Sequence, residues 1–275
     1  MTARRLWAAV EPLHAVVYFA PETAEAAKAA GLRGYWMGYF AGRLAPLGPI
    51  GPGPATAVLF GFAPSMVARA LPDAWSFAAP DAVLRSRLAA VSAALGRVAG
   101  DVSELSALLW RAVDACAFDG RPLAAAWAAV PAPEDPLARL WLAATILREH
   151  RGDGHVLAAV HAGLGGLETT LTHIGDGVIS RADIQPHRGW PDAEWDAAAD
   201  RLRARGILDA GGGLTVAGRE LRRRIEDDTD RLAAAPVAAL GPDVERLLAL
   251  AVPLSRAIVD SGLVTVPNPV GVPRP

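Results

Sequence analysis

RLRARGILDAGGGLTVAGRELRRRIEDDTDRLA, residues Arg201 to Ala233, is the stretch whose reading decides the fold. Gly206 closes a helix, and Ile207 with Leu208, a tip of Gly211, Gly212 and Gly213, and Leu214 with Thr215 then read as a two-stranded hairpin. Thr215 is a cap for a long helix with Leu221, Ile225 and Leu232 facing inward. On its outer side Glu220 with Arg224, Arg223 with Asp227 and Arg224 with Asp228 stand four apart, the spacing for charge pairs. Upstream, Pro191 opens a helix that turns Trp195, Ala198, Ala199 and Leu202 inward, Leu167 to Ile174 forms a shorter one, and Asp153 caps another that reaches about Leu164. Three helices, a hairpin and a helix are the order of a winged helix-turn-helix.

The chain before this unit has helical periodicity throughout. Val10, Leu13, His14 and Val17 share one face, and Pro21 with Glu22 and Glu25 opens a second helix that Gly31 ends. Gly34, Gly38 and Gly42 then fall on one stripe. Each costs about 1 kcal/mol against alanine inside a helix, so a close approach must offset them, either another helix backbone or a flat ligand against the main chain. Ala45 to Pro54, APLGPIGPGP, reads as a loop. Helices follow over Asp81 to Leu95 and Val102 to Ala117, and a third after Pro136 carries Leu137, Leu140, Trp141, Ala144 and Leu147 on one side, with His150 and Arg151 extending that stripe. The expected fold is mainly α: an N-terminal helical domain (1–152), a degenerate winged helix-turn-helix with a small β-hairpin wing (153–235), and a C-terminal helix and tail (236–275) that pack back on the first domain.

Composition narrows the function classes. Of 275 residues 52% are hydrophobic and 20% charged, which excludes a disordered chain. Lys and Arg number 27 against 29 Asp and Glu, so the net charge of -2 gives no global attraction to nucleic acid. The lone Cys116 forms no internal disulfide, and the Arg4-Arg5 start is cut short by Glu11 and Pro12 before it makes a signal peptide. With no apolar run of about 18 residues, a cytoplasmic protein without membrane partners is expected.

The stretch quoted first resembles multiple-antibiotic-resistance-type regulators, whose pattern runs from a helix ending in Arg-Gly through a wing to LTxxGRxLR. Nearly the whole chain is also similar to a poorly characterised bacterial family catalogued as helix-turn-helix proteins, through HAVVYFAPE (His14 to Glu22), GYFAGRLAPLG (Gly38 to Gly48), LREHRGDGH (Leu147 to His155), RGW (Arg188 to Trp190) and NPVG (Asn268 to Gly271). That resemblance implies a shape and brings no activity with it. The helix that would enter the major groove opens with Asp192, Glu194, Asp196 and Asp200 and has no base before Arg201, and the wing offers Asp209 and glycines. Such a surface repels phosphates, so DNA binding is disfavoured without being excluded.

Chemistry is therefore sought between the two halves. There is no phosphate loop, no G-x-S-x-G elbow and no H-E-x-x-H. His14 interrupts an apolar face beside Tyr18, His150, Arg151, Asp153 and His155 crowd together, and Thr229 interrupts the stripe of Ile225 and Leu232. The expectation is a small-molecule or cofactor pocket lined by His14, Tyr18, Arg43, His150, Arg151, His155, Trp190 and Thr229, with catalysis left open. A metal held by His14, Glu22, His150, Asp153 and His155, or a flat aromatic cofactor, are the candidate bound groups, and hydrogen-bonded packing at the junction is the plain alternative. The rival function is a ligand-sensing transcriptional regulator, and a homodimer is compatible with either.

Overall fold

The computed structural model describes residues 3–266, 268 and 270–275, so Pro269 of the NPVG motif lies outside the described residues. Among these, α1 (Ala3–Phe19), α2 (Pro21–Ala29) and α3 (Gly34–Leu44) open the chain. The short α4 (Pro52–Leu59), α5 (Pro64–Ala68) and α6 (Ala74–Phe77) follow, and α7 (Pro80–Leu95), α8 (Ser103–Val113) and α9 (Pro122–Ala128) lead to α10 (Pro136–His161). Next come α11 (Gly166–Gly175), α12 (Arg181–Ile184), α13 (Asp192–Ala204) and α14 (Val216–Leu232), before α15 (Ala234–Leu240) and α16 (Val244–Asp260). Proline at the first helical position starts many of them, where its missing N–H costs nothing.

The axis of the molecule is α10, 26 residues long and capped by the Asp135 carboxylate, which accepts from Ala138 N at 2.7 Å. Every residue from Leu140 to Ile146 is fully buried, so this helix is covered on all sides and not along one stripe. Helices α1, α7, α8, α9 and α14 pack around it, α9 reaching Asp153 in its second half. One apolar core gathers α1 to α9, the first half of α10 and α15 to α16; a second holds Ala158, Leu164, Leu171, Trp195, Leu202, Leu214 and Ile225.

Four sequence expectations change. The hairpin wing is reduced to one isolated antiparallel bridge between Leu208 and Leu214, with no strand among the described residues. The Leu214 N–H donates to the Gly175 carbonyl of α11, and the first turn of α14 lies so close that a Cβ on Gly218 would collide with the Ile207 carbonyl, so the ladder has no room to extend. APLGPIGPGP is only partly loop, because Ala45–Leu47 forms a 3-10 turn and Pro52 already begins α4. Asp153 caps no helix of its own: α10 runs through it, and its carboxylate instead accepts from Leu123 N (3.0 Å) and Ala124 N (2.9 Å), capping α9 from outside. Arg181–Ile184 adds a short helix that no periodicity announced. Thr215 does cap α14, accepting from Gly218 N at 3.0 Å.

Candidate functional site

The inner faces of α1, α3 and α10 meet in a buried polar network. The His14 ring shares hydrogen bonds with Thr145 Oγ1 (2.9 Å) and Tyr18 Oη (2.8 Å), and the Trp141 indole donates to the His14 carbonyl. Burial, reinforced by Arg148, holds the His14 pKa well below the ordinary histidine value, so the ring is neutral. Arg43 donates from Nε (3.0 Å) and Nη2 (2.9 Å) to the two oxygens of Glu149, and Arg148 adds a third bond at 2.8 Å. Burial alone would neutralise Glu149, but Arg148 and Arg43 together outweigh it and keep the carboxylate ionised.

On the far side of α1 a cleft of about 810 Å³ opens between α1, the second half of α10, α11, α12, α14 and the C-terminal tail. Glu226 sits at its base, approached by Arg4 (3.2 Å), Arg151 (3.2 Å) and Arg222 (2.6 Å), while Asp230 takes longer contacts from Arg4 (3.7 Å) and Arg151 (3.4 Å). Three guanidinium groups thus share two carboxylates. His155 places Nδ1 3.1 Å from Thr229 Oγ1, whose hydroxyl also donates to the Ile225 carbonyl, and its ring centre is 5.8 Å from that of His173. Burial pushes His155 down to about 4 and His173 to about 3, with Arg222 contributing to both shifts, so both imidazoles are uncharged at neutral pH. Glu11 Oε2, Arg151 Nε, and Nε and Nη1 of Arg222 are buried in these walls with no hydrogen-bond partner.

Only part of the expected set converges here. Arg151 and His155 line the cleft and Thr229 stands behind His155, whereas Tyr18 faces a different cavity beside α3. His14 and Arg43 are spent in the buried network. His150 is turned toward Phe118 and Arg121, where burial pushes it to about 4, and Trp190 donates to the Gly61 carbonyl, joining the loop after α4 to the segment before α13. The five residues named for a metal are not brought together: Glu22 pairs with Arg97, Asp153 holds α9, and the three imidazoles have separate partners. No group of three or more His, Cys, Asp or Glu among the described residues is arranged to hold a metal ion. His173, Arg222, Glu226 and Glu11 were missed. The signal for two of them was present, because Arg222, Ile225, Glu226 and Thr229 recur at helical spacing on one face of α14, a polar stripe on a side that turns inward.

The acidic helix α13 is less bare than its sequence implies. Asp192, Glu194, Asp196 and Asp200 are all exposed, but Arg181 from α12 reaches Asp192 (3.0 Å) and Asp196 (2.9 Å), and Arg203 pairs with Asp200 (2.7 Å). Among the described residues, Glu194 is the one member of this set without an ion-pair partner. The cation facing Asp192 and Asp196 comes from α12, outside the acidic helix itself.

No described helix is long and apolar enough to cross a membrane. No curated protein and no solved structure matches the chain. The profile of a helix-turn-helix family, in contrast, matches residues 3–265, spanning both cores and every wall of the cleft up to the C-terminal tail. The chain belongs to that helix-turn-helix family.

Proposed function

We propose that the junction cleft binds a small organic anion, held by Arg151 and Arg222 with His155 and His173 as neutral hydrogen-bond partners. The observation that carries this is the set of buried, unpartnered polar atoms in the cleft walls, above all Nε and Nη1 of Arg222. Buried N–H groups without acceptors are rare and costly, and an anion supplies the acceptors. The surplus of guanidinium over carboxylate around Glu226 makes the base of the cleft cationic. A neutral imidazole offers one donor and one acceptor, which suits a ligand with a hydroxyl next to its charged group. In this reading residues 153–235 act as one unit against the helical domain of 1–152, with 236–275 packed back on it, and the ligand ties the two together.

Thermal unfolding of the full chain in the presence of dicarboxylates, tricarboxylates and phosphomonoesters tests it. A binder raises the melting temperature of the wild type and leaves His173→Ala and Arg222→Met unmoved while both variants stay folded. Wild-type protein that none of these compounds shifts, and that calorimetric titration also finds silent, would falsify the reading.

Family membership favours a second reading, a ligand-sensing transcriptional regulator whose C-terminal part is similar to multiple-antibiotic-resistance-type proteins and presents α13 to DNA. Arg181 offsets part of the repulsion that Asp192 and Asp196 would meet at the phosphates. Gel shifts at graded salt on DNA flanking the gene separate the two. A specific shift that vanishes when Arg201, Arg203 and Arg205 become alanine supports the regulator, and no shift even at low salt rejects it.

A further inference from the structure

The glycine stripe of α3 is closed only in part, by Ala27 of α2 at Gly38 and by Arg87 of α7 at Gly42. Gly34, Gly38 and Gly42 line a cavity of about 600 Å³ whose remaining walls come from the end of α1, from α2 and from α7. At Gly38 an added Cβ would stand 3.0 Å from the Ala27 Cβ; at Gly34 it would meet open space, and at Gly42 it would run into the Arg87 guanidinium. None of the nine residues of α2 is buried, although the helix packs along α7. Thr23, Ala24 and Ala27 on its inner side line the cavity, and Ala27 also packs against the core.

At the cavity wall stands Arg87 of α7, only 8% exposed. Its Nε and Nη2 are buried without a hydrogen-bond partner, and among the described residues no carboxylate forms an ion pair with it. The nearest compensation is aromatic: the guanidinium lies 5.9 Å from the Tyr18 ring centre and 5.7 Å from that of Trp141. Ring faces attract the cation but accept none of its in-plane N–H bonds. The carboxylate that might have served, Glu149, is already held by Arg43 and Arg148. A buried cation with unpartnered N–H groups beside a mainly apolar space of ligand size is suited to receive an anion.

We propose that this second cavity binds an apolar monocarboxylate, with its hydrocarbon or aromatic body against the glycine face of α3 and the rings of Tyr18, Tyr35 and Tyr39, and its carboxylate on Arg87. Three observations converge on that chemistry. The glycines remove the side chains that would fill the space, the tyrosine rings pack 5.2 Å (Tyr18 to Tyr39) and 6.2 Å (Tyr35 to Tyr39) apart along one wall, and Arg87 is the buried cation with unpartnered N–H groups, Lys28 standing at the exposed edge. The site is independent of the junction cleft, because Arg87 and the glycines touch none of its walls.

Calorimetric titration of the full chain with 2-naphthoate, and with 2-naphthamide as its uncharged counterpart, tests the proposal. Naphthoate binds one to one and about tenfold or more tighter than the amide, the gain of a charge-assisted bond. Arg87→Met, checked for folding by circular dichroism, loses that preference, so both compounds bind alike. Ala24→Trp, at an exposed position of the wall, weakens both while leaving Arg87 in place. Arg222→Met leaves naphthoate binding unchanged, which keeps this result apart from the fate of the junction cleft. Equal naphthoate affinity in wild type and Arg87→Met overturns the proposal, and so does a wild type that binds neither naphthoate nor decanoate at about 1 mM.

Discussion

Arg43, mostly covered, and Arg87, buried, belong to the same helical region, and they are treated in opposite ways. Arg43 is clamped on both oxygens of a carboxylate that is itself only 1% exposed, whereas Arg87 has two aromatic faces and no anion. The first arrangement is complete and leaves no room for a visitor. The second is incomplete, and the incompleteness coincides with the cavity. Burial of charge by itself therefore says little about function here; what marks a site is a buried charge whose partner is missing. The junction cleft follows the same rule, since its Arg222 keeps Glu226 on one nitrogen while two others go without.

The largest expected effect tests that contrast by stability. Arg43→Met strips Glu149 of its bidentate partner and should cost about 3–5 kcal/mol, the usual loss when one member of a buried pair is removed. Arg87→Met removes a cation that has no pair to break and keeps the packing volume, so it should be neutral or stabilising by about 1–2 kcal/mol. Urea denaturation of the two variants beside wild type measures both. A comparable loss in each would mean that the rings of Tyr18 and Trp141 satisfy Arg87 fully, and the distinction between the two sites would fall.

A smaller effect is expected from acid. His155 and His173 have folded pKa values of about 4 and about 3, below the ordinary 6.5, so between those values the unfolded chain binds more protons than the folded one. Stability contributed by the neutral rings is present above pH 6.5 and is lost as the pH falls through about 4 for His155 and about 3 for His173. Asp153, raised to about 6 by burial, works in the opposite direction, so the informative quantity is the difference between variant and wild type. His173→Asn should flatten the acid limb by up to about 1.4 kcal/mol per pH unit. An unchanged limb would place the His173 ring in solvent and remove it from the cleft.

Much of the architecture was legible because helices announce themselves locally. Proline starts, glycine stops and the Thr215 cap are short-range signals, and the order of helices around Arg201 to Ala233 followed from them. What failed was long-range. The hairpin needed room that the first turn of α14 takes away, and Asp153 looked like a cap for its own helix because its true partners, Leu123 and Ala124, lie thirty residues upstream. The site was half legible for the same reason. Arg151, His155 and Thr229 do come together, but His14, which interrupts an apolar face of α1, bonds to Thr145 and Tyr18 instead, and α10 turns His150 toward Phe118. Arg87 carried no signal, since an arginine on an amphipathic helix is ordinarily a solvated one; only the fold reveals that its anion is absent.

The glycine stripe supplies the finest test. Gly38→Ala gains about 1 kcal/mol of helix propensity. Against this, the new Cβ must push Ala27 back by a few tenths of an ångström from 3.0 Å. Because α2 buries none of its residues, it yields at a cost of about 0.5–1 kcal/mol, and the net change in stability should lie within about 0.5 kcal/mol of zero. If the glycine were kept for tight packing of α2 on α3, the same substitution would destabilise the fold and leave ligand affinity alone. If it is kept as a platform, the methyl group fills the contact surface, and naphthoate affinity falls while the melting temperature barely moves. Measuring both quantities on one variant decides between the two readings of the stripe that the sequence left open.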